Sequence, residues 1–182
     1  KITAEVNPFV PPLNALRGGT TDLAYFVLTA PAREAVSIAS LTIKTNESGR
    51  HLRNLKVLTG GLSFGSLRNS LQGNDTISFF GSQPFSIPAG ASYGINVAAD
   101  ILPSAPTGTI SGLITLVSCS GQGTRALVSF ACAPINLAGQ NVTIGNNPAA
   151  LSFFTKLPIA VHYPQGGEQL QIGMSHKIKW DY

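Results

Sequence analysis

The ionisable side chains of this sequence are few and widely spaced. Charged residues make up 11% of the chain. Acid–base hydrolysis needs two carboxyl groups acting on one substrate, and no two carboxylates here are close in sequence. The three histidines, His51, His162 and His176, lack the spacing of known zinc sites. The sequence therefore predicts no catalytic residue, no metal site and no cofactor. The eight carboxylates are Glu5, Asp22, Glu34, Glu47, Asp75, Asp100, Glu168 and Asp181.

Cys119 and Cys132 are the two cysteines of the chain, and their spacing leaves two arrangements open. If the Gly-Gln-Gly segment 121–123 is a tight hairpin turn, the sulfur atoms lie roughly 20 Å apart, at about 3.3 Å per residue. Both cysteines are then buried free thiols. If residues 120–131 form a looped excursion, the two cysteines can bond. A sparse, even pair in a strand-rich, lysine-poor chain favours the disulfide and an oxidising compartment.

Aromatic residues near the C-terminus offer one kind of ligand chemistry. Trp180, Tyr182 and Tyr163 could form a platform for a sugar ring, because these side chains combine an apolar face with a polar tip. In the alternative arrangement, Trp180 fills the core of a small C-terminal module. The first arrangement predicts binding to cell-wall or surface glycan, and the second predicts a structural role.

Composition excludes two classes of partner. The formal net charge is +4, from 12 basic and 8 acidic residues. One basic cluster occurs, formed by Lys44, Arg50, His51, Arg53 and Lys56. Because no aromatic side chains are interleaved with it, it predicts a solvated loop and no nucleic-acid surface. No apolar run approaches the roughly 20 residues of a membrane-spanning helix, so we expect no membrane span.

The elements that position these residues are β-strands. From Tyr93 to Ile101 apolar residues alternate with small or polar ones, which is the period of a strand with one face on a core. Residues 110–117 are apolar at nearly every position and predict a central strand. The alternation slips between Ile38 and Leu41, which predicts a β-bulge. The 19 glycines and 12 prolines separate many such segments, as is typical of an all-β chain.

We expect one all-β domain and a tail. Eight or nine short strands over residues 1–145 predict an antiparallel two-sheet sandwich. The segment 145–148, Gly-Asn-Asn-Pro, interrupts the pattern. Residues 146–182 are then an extended β-rich tail, or the start of a second β module.

The first part of the chain resembles a known class of module. The segments that carry this resemblance are LTI at 41–43, LKV at 55–57, IPAG at 87–90, INVAADI at 95–101 and GQNVTI at 139–144. Together they resemble immunoglobulin-like modules of large bacterial surface proteins. The resemblance implies an immunoglobulin-like sandwich displayed outside the cell, with no catalytic residues.

The tail resembles a second family. YPQGGEQL at 163–170, Gly173 and IKW at 178–180 resemble the start of an extracellular β-sandwich family that includes the yeast cell-wall glucan-synthesis-associated domains. That domain continues for several strands after the tryptophan, whereas this sequence ends at Tyr182. The tail is therefore the start of a second domain, an addition to the first sandwich, or a segment that completes a neighbouring subunit.

The last of these arrangements would build a fibre by strand addition between subunits, because open sheet edges accept extended segments. The candidate strand-exchange residues are Ile2 and Val6 in the first strand and Ile159 and Val161 in the tail. The expected partners are then other protein modules or copies of this chain.

These observations predict a non-catalytic structural or adhesive module of an extracellular surface protein or fibre. The alternative is a carbohydrate-binding accessory domain that uses Trp180 and Tyr182. Both hypotheses place the chain outside the cell, at the cell surface or secreted.

Overall fold

The computed structural model describes residues 1–146 and two tail strands, with side chains described for residues 1–81 and 85–146. The chain divides into two compact units, Lys1–Asn147 and Pro148–Tyr182. The strands are β1 (Ile2–Val6), β2 (Leu13–Leu16), β3 (Thr20–Thr29), β4 (Val36–Thr45), β5 (Leu52–Thr59), β6 (Leu62–Ser63), β7 (Arg68–Ser70), β8 (Thr76–Ile87), β9 (Ser92–Ile101), β10 (Gly108–Ile110), β11 (Ile114–Gly123), β12 (Ser129–Ala133), β13 (Leu137–Ala138), β14 (Val142–Gly145), β15 (Ala160–Tyr163) and β16 (Lys179–Asp181). A short 3-10 helix, Glu47–His51, precedes β5.

The first unit is built on one curled sheet with the strand order β6-β5-β9-β3-β1-β12-β11-β4-β8. Its first layer is β6, β5, β9, β3 and β1, and its second layer is β12, β11, β4 and β8. The layers join where β1 runs parallel to β12, with Ile2 opposite Cys132. A smaller sheet contains β10, β14 and β2. The predicted all-β sandwich is therefore confirmed.

Alternating apolar residues on the facing strands form the core of this unit. Phe26 and Leu28 on β3 are fully buried, and Ile95 and Val97 on β9 are at most 1% exposed. They belong to one cluster with the inward residues of the second layer, which include Ile38, Leu41, Ile43, Phe79 and Leu116. Each such side chain contributes about 1.5–3 kcal/mol on burial, so this cluster is the main source of stability.

The predicted bulge is confirmed, and two strand pairings differ from expectation. Consecutive residues Ser120 and Gly121 of β11 lie opposite Ser40 and Ile38 of β4, which leaves Ala39 as the extra residue. β1 is an interior strand that pairs with β3 on one side and β12 on the other. Its alternate residues Ile2 and Ala4 are buried in the core, which explains the interior position. The β1–β12 and β14–β2 pairs are parallel, so the sandwich is not wholly antiparallel.

In the second unit, β15 and β16 form an antiparallel pair with Val161 opposite Trp180. Ile159, Tyr182 and most of the segment that resembles glucan-synthesis-associated domains lie outside the described residues. The described part of the chain contains no helix of the length and apolar character needed to cross a membrane.

Candidate functional site

The hairpin of β11 and β12 brings the two cysteines together. Ser120 lies opposite Ala131, so Cys119 and Cys132 come one step further along the same ladder. Their Cα atoms are 5.1 Å apart and the two form a disulfide. The predicted disulfide is therefore present, but residues 120–131 form a paired hairpin and not the looped excursion expected with it. The free-thiol arrangement assumed a turn at residues 121–123, and that assumption is wrong.

Gly121 lies inside β11 because the neighbouring strand approaches it closely. A Cβ at Gly121 would lie 2.7 Å from the carbonyl oxygen of Ser37 on β4. This glycine therefore marks a close backbone approach and not a turn. The chain turns instead at residues 124–128, which the hydrogen bond from the Gly123 N–H to the Val128 carbonyl closes at 2.8 Å.

Glu34 fixes this turn to the loop before β4. Its Oε1 accepts hydrogen bonds from the backbone N–H groups of Ala126 at 2.7 Å and Arg125 at 2.9 Å. These two hydrogen bonds lower the pKa of the Glu34 carboxyl below its ordinary value, and the bond from Ala126 has the larger effect. The carboxylate thus acts as a clamp on the backbone of the turn.

The outer face of the second layer is rich in hydroxyl groups. We define the serine–threonine face by the outward residues of β4, β8 and β11, which are Ser37, Ser40, Thr42, Lys44, Ser78, Phe80, Thr115, Ser118, Ser120 and Gln122. Lys44 is the one charged side chain among these ten. This face was not predicted from the sequence, although alternating Ser and Thr in β4 and β11 indicate it.

Cross-strand neighbours on this face are set by the register of the three strands. Ser40 lies opposite Phe80 on one side and opposite Ser120 on the other. The hydroxyl groups of Ser40 and Ser120 are 2.6 Å apart, and those of Thr42 and Ser78 are 3.1 Å apart. These pairs hold short side chains in rows across the strands.

Phe80 is the exception to the polar character of the serine–threonine face. Its side chain is 69% exposed, whereas its neighbour Phe79 is buried in the core. Successive side chains of a strand point to opposite faces, so one ring of this pair is buried and the other is exposed. Exposed aromatic rings are common anchors for contact with another protein.

The edge of the second layer adds a further contact. Strand β8 is the last strand in the sheet order, and it pairs with β4 on one side. On its other side, a groove of about 310 Å³ is lined by residues of β7 and β8, including Arg68, Ser70 and Ser78. Gly65 lies against the backbone of Phe80, since a Cβ at Gly65 would be 3.0 Å from the Phe80 carbonyl oxygen. The groove lies along residues 76–78, where the end strand can present backbone N–H and C=O groups to an extended segment.

Comparison with known proteins yields structural similarity only. No protein-family model matches the chain, and no curated protein matches it. One similar solved structure is the seventh ScaB type I cohesin from Pseudobacteroides cellulosolvens, with a TM-score of 0.46, 10% identity, and coverage of 80% of this chain and 93% of that chain.

Two larger proteins also contain a similar region. One is a membrane-anchored protein from Corynebacterium diphtheriae, with a TM-score of 0.36, 10% identity, and coverage of 81% of this chain and 36% of that chain. The other is a family 123 glycoside hydrolase from Clostridium perfringens, with a TM-score of 0.34, 11% identity, and coverage of 81% and 28%. At these scores no family is assigned, and the resemblance of the tail to glucan-synthesis-associated domains gains no match.

The strand-exchange residues predicted from sequence occupy different situations. Ile2 is fully buried, and β1 has a partner on both sides, so its exchange would require it to leave both β3 and β12. Val161 lies in β15, and Ile159 is outside the described residues. Exchange through these segments stays a prediction. The aromatic platform also stays a prediction, because the side chains of Trp180, Tyr163 and Tyr182 are not described.

Asp100, which ends β9, accepts hydrogen bonds from neutral neighbours. Thr20 Oγ1 and Asn54 Nδ2 each donate to it at 2.5 Å. The hydrogen bond from the Thr20 hydroxyl lowers the pKa of the Asp100 carboxyl most, and the hydrogen bond from the Asn54 amide lowers it next. The positive charge of Lys56 has a smaller effect in the same direction. Both donors come from neighbouring strands, so the carboxylate stabilises the sheet. The described residues contain no group of three or more side chains of the types that bind metal ions.

We expect acid to weaken the fold partly through Asp100. Its pKa is lower in the folded than in the unfolded chain, so its contribution to stability is present above about pH 4 and is lost as pH falls through the folded value. Urea unfolding at several acidic pH values should show a shallower pH dependence for Asp100→Asn than for the unchanged protein. Equal slopes for the two proteins would contradict this role.

Proposed function

We propose that this chain is a non-catalytic structural or adhesive module of an extracellular surface protein or fibre. In this proposal it contacts copies of itself, or other protein modules, through the serine–threonine face and the free edge of β8. The observation that carries the proposal is the exposed ring of Phe80 on a face with a single charge, next to an end strand.

The serine–threonine face suits a protein contact for two reasons. Charged side chains are depleted at the centre of protein interfaces, because removing a charge from water is costly. Short side chains such as Ser40 and Ser120 lose little conformational freedom when they are covered. Their hydroxyl groups also rotate, so they can donate to or accept from a partner. Phe80 then supplies the apolar anchor.

The edge of β8 supports a contact by strand addition. Main-chain hydrogen bonds to an added strand give affinity with little dependence on its sequence, and alternate side chains give specificity. The groove between β7 and β8 leaves room beside this edge. A segment of a second copy that pairs along residues 76–78 would extend the second layer.

An extracellular setting is supported by the disulfide of Cys119 and Cys132. Disulfides persist in oxidising compartments and are rare in the cytosol. A non-catalytic role is supported by the use of Glu34 and Asp100 as acceptors for neighbouring backbone or side-chain donors.

Self-association of the full chain tests this proposal. We expect Ser120→Arg to weaken association by about thirtyfold, because a charge would be buried without a partner at the centre of the face. Phe80→Lys should weaken it as well, because it replaces the apolar anchor of the face with a charge. Sedimentation velocity over a range of concentrations, with electron microscopy for filaments, measures both effects.

Ser92→Arg is the matched control, because Ser92 is an exposed serine on β9 of the first layer. It should associate like the unchanged chain. If the unchanged chain stays monomeric at every concentration, the self-association part of the proposal fails. If Ser92→Arg and Ser120→Arg weaken association equally, the serine–threonine face is not the contact.

A further inference from the structure

A groove of about 230 Å³ crosses the outer face of the first layer, away from the serine–threonine face. Three strands contribute one row of side chains to it. Asn96 on β9 lies opposite Leu58 on β5 and opposite Tyr25 on β3. Asn7 continues the row, since its backbone N–H donates to the Tyr25 carbonyl at 3.0 Å.

Glycines create the space in this groove. Gly60, Gly61 and Gly94 all line it. A Cβ built at Gly94 or at Gly61 would meet no atom within 4 Å. Gly94 is not in the left-handed region, so neither its backbone conformation nor a close neighbour requires a glycine there. A glycine inside a strand weakens the strand, so this one needs a reason, and close approach of a ligand is one such reason.

Asp22 holds the two polar side chains of the row in place. It accepts a hydrogen bond from the Tyr25 hydroxyl and another from Asn96 Nδ2 at 2.7 Å. Gln140 fixes the backbone of Tyr25, because its Oε1 accepts from the Tyr25 N–H at 2.9 Å and its Nε2 donates to the Tyr25 carbonyl at 3.2 Å. The row is thus ordered before any ligand arrives.

The Tyr25 hydroxyl is a donor to Asp22 and an acceptor for the groove. Three causes raise the pKa of Tyr25 to about 12. The largest is its hydrogen bond to Asp22, followed by burial and by the negative charge of Asp22. The hydroxyl therefore keeps its proton at physiological pH. Since that proton is directed at Asp22, the oxygen is left to accept a hydrogen bond from a ligand hydroxyl.

Asn96 has an unused acceptor beside the same groove. Its Oδ1 is buried and has no hydrogen-bond partner among the described residues. A buried polar atom without a partner is unfavourable for folding and calls for an explanation. Because Asn96 lines the groove, a ligand hydroxyl that enters beside it is a candidate donor to this oxygen.

We propose that this groove binds a neutral saccharide. The groove is lined by two asparagines, three glycines, the tyrosine Tyr25 and three apolar side chains, and none of these nine residues carries a charge. A sugar presents adjacent hydroxyl groups that both donate and accept, together with an apolar C–H face for an aromatic ring. An anionic ligand such as a phosphate would find no cation among these residues. This inference is independent of the proposed protein contact, which uses the opposite layer.

Gly94 allows the groove to be closed without disturbing the fold. We expect Gly94→Trp to fill the space and to weaken saccharide binding by about tenfold or more, since it displaces the contacts with Tyr25 and Asn96. Gly94→Ala adds one methyl group to open space and should bind almost as well as the unchanged chain. The probes are neutral polysaccharides, namely a soluble β-glucan, a mannan and starch, embedded in native gels. Retardation of the full chain measures binding, and thermal melting confirms that each variant is folded.

Two further variants separate this groove from the other candidate surfaces. Ser120→Arg should leave saccharide binding unchanged while it weakens self-association. Trp180→Ala should also leave binding unchanged, whereas loss of binding in that variant alone would assign the sugar site to the tail and overturn the groove. No retardation of the unchanged chain by any of the three polysaccharides, or equal retardation of Gly94→Trp and the unchanged chain, would overturn the proposal as well.

Discussion

The Cys119→Ala/Cys132→Ala double variant is expected to lose about 3 kcal/mol of unfolding free energy. The bridge joins residues separated by 13 positions, and closing a loop of this length restricts the unfolded chain by about that amount. The two cysteines are only 4% and 5% exposed. Alanine is the suitable replacement because it places no hydroxyl group without a partner in the core.

Because of its position, loss of the disulfide should destabilise more of the fold than the hairpin of β11 and β12. Strand β12 carries Cys132 and also pairs with β1, which is where the two layers join. Urea unfolding of the double variant and of the unchanged chain measures the difference. The unchanged chain in the presence of a reductant serves as the control and should approach the double variant. A loss below about 1 kcal/mol would show that the disulfide adds little to the stability of this fold.

The sequence predicted the strands better than it predicted their partners. Alternation from Tyr93 to Ile101 marks one side of β9 as buried, since side-chain direction follows from local geometry alone. The hairpin of β11 and β12 was not predicted, because the sequence left open a tight turn at residues 121–123, with Gly121 as a turn residue, and a looped excursion at residues 120–131. The actual cause of this glycine, the approach of Ser37 on β4, involves a residue more than 80 positions away. A single sequence contains no direct record of such a contact.

The same limit applies to the candidate sites. Serines and threonines at alternate positions of β4 and β11 indicate outward faces, but the register that brings Ser40 beside Ser120 and Phe80 depends on three strands together. The groove depends on the alignment of Tyr25 with Asn96 and on an empty position at Gly94. The sequence therefore indicates the character of single residues, whereas which residues lie together depends on the three-dimensional fold.

Phe26→Ala is expected to reduce the free energy of unfolding by about 3–5 kcal/mol, the largest effect among these variants. Phe26 is fully buried at the centre of β3. Its ring reaches Gly139, where an added Cβ would lie 3.4 Å from the tip of the ring. Removal of the ring deletes its apolar contacts and leaves a cavity, because neighbouring strands that hold each other in register can relax only in part.

Phe9→Ala is the matched control, because the chemical change is the same and the side chain of Phe9 is 91% exposed. It should alter the free energy of unfolding by no more than about 0.5 kcal/mol. Urea unfolding of the two variants under identical conditions gives the comparison. If they were equally stable, Phe26 would not be a central core residue, and the proposed packing of the first layer on the second would be wrong. If only Phe26→Ala is destabilised, Phe26 is a central residue of the core between the two layers. That core supports both the serine–threonine face and the groove on the first layer.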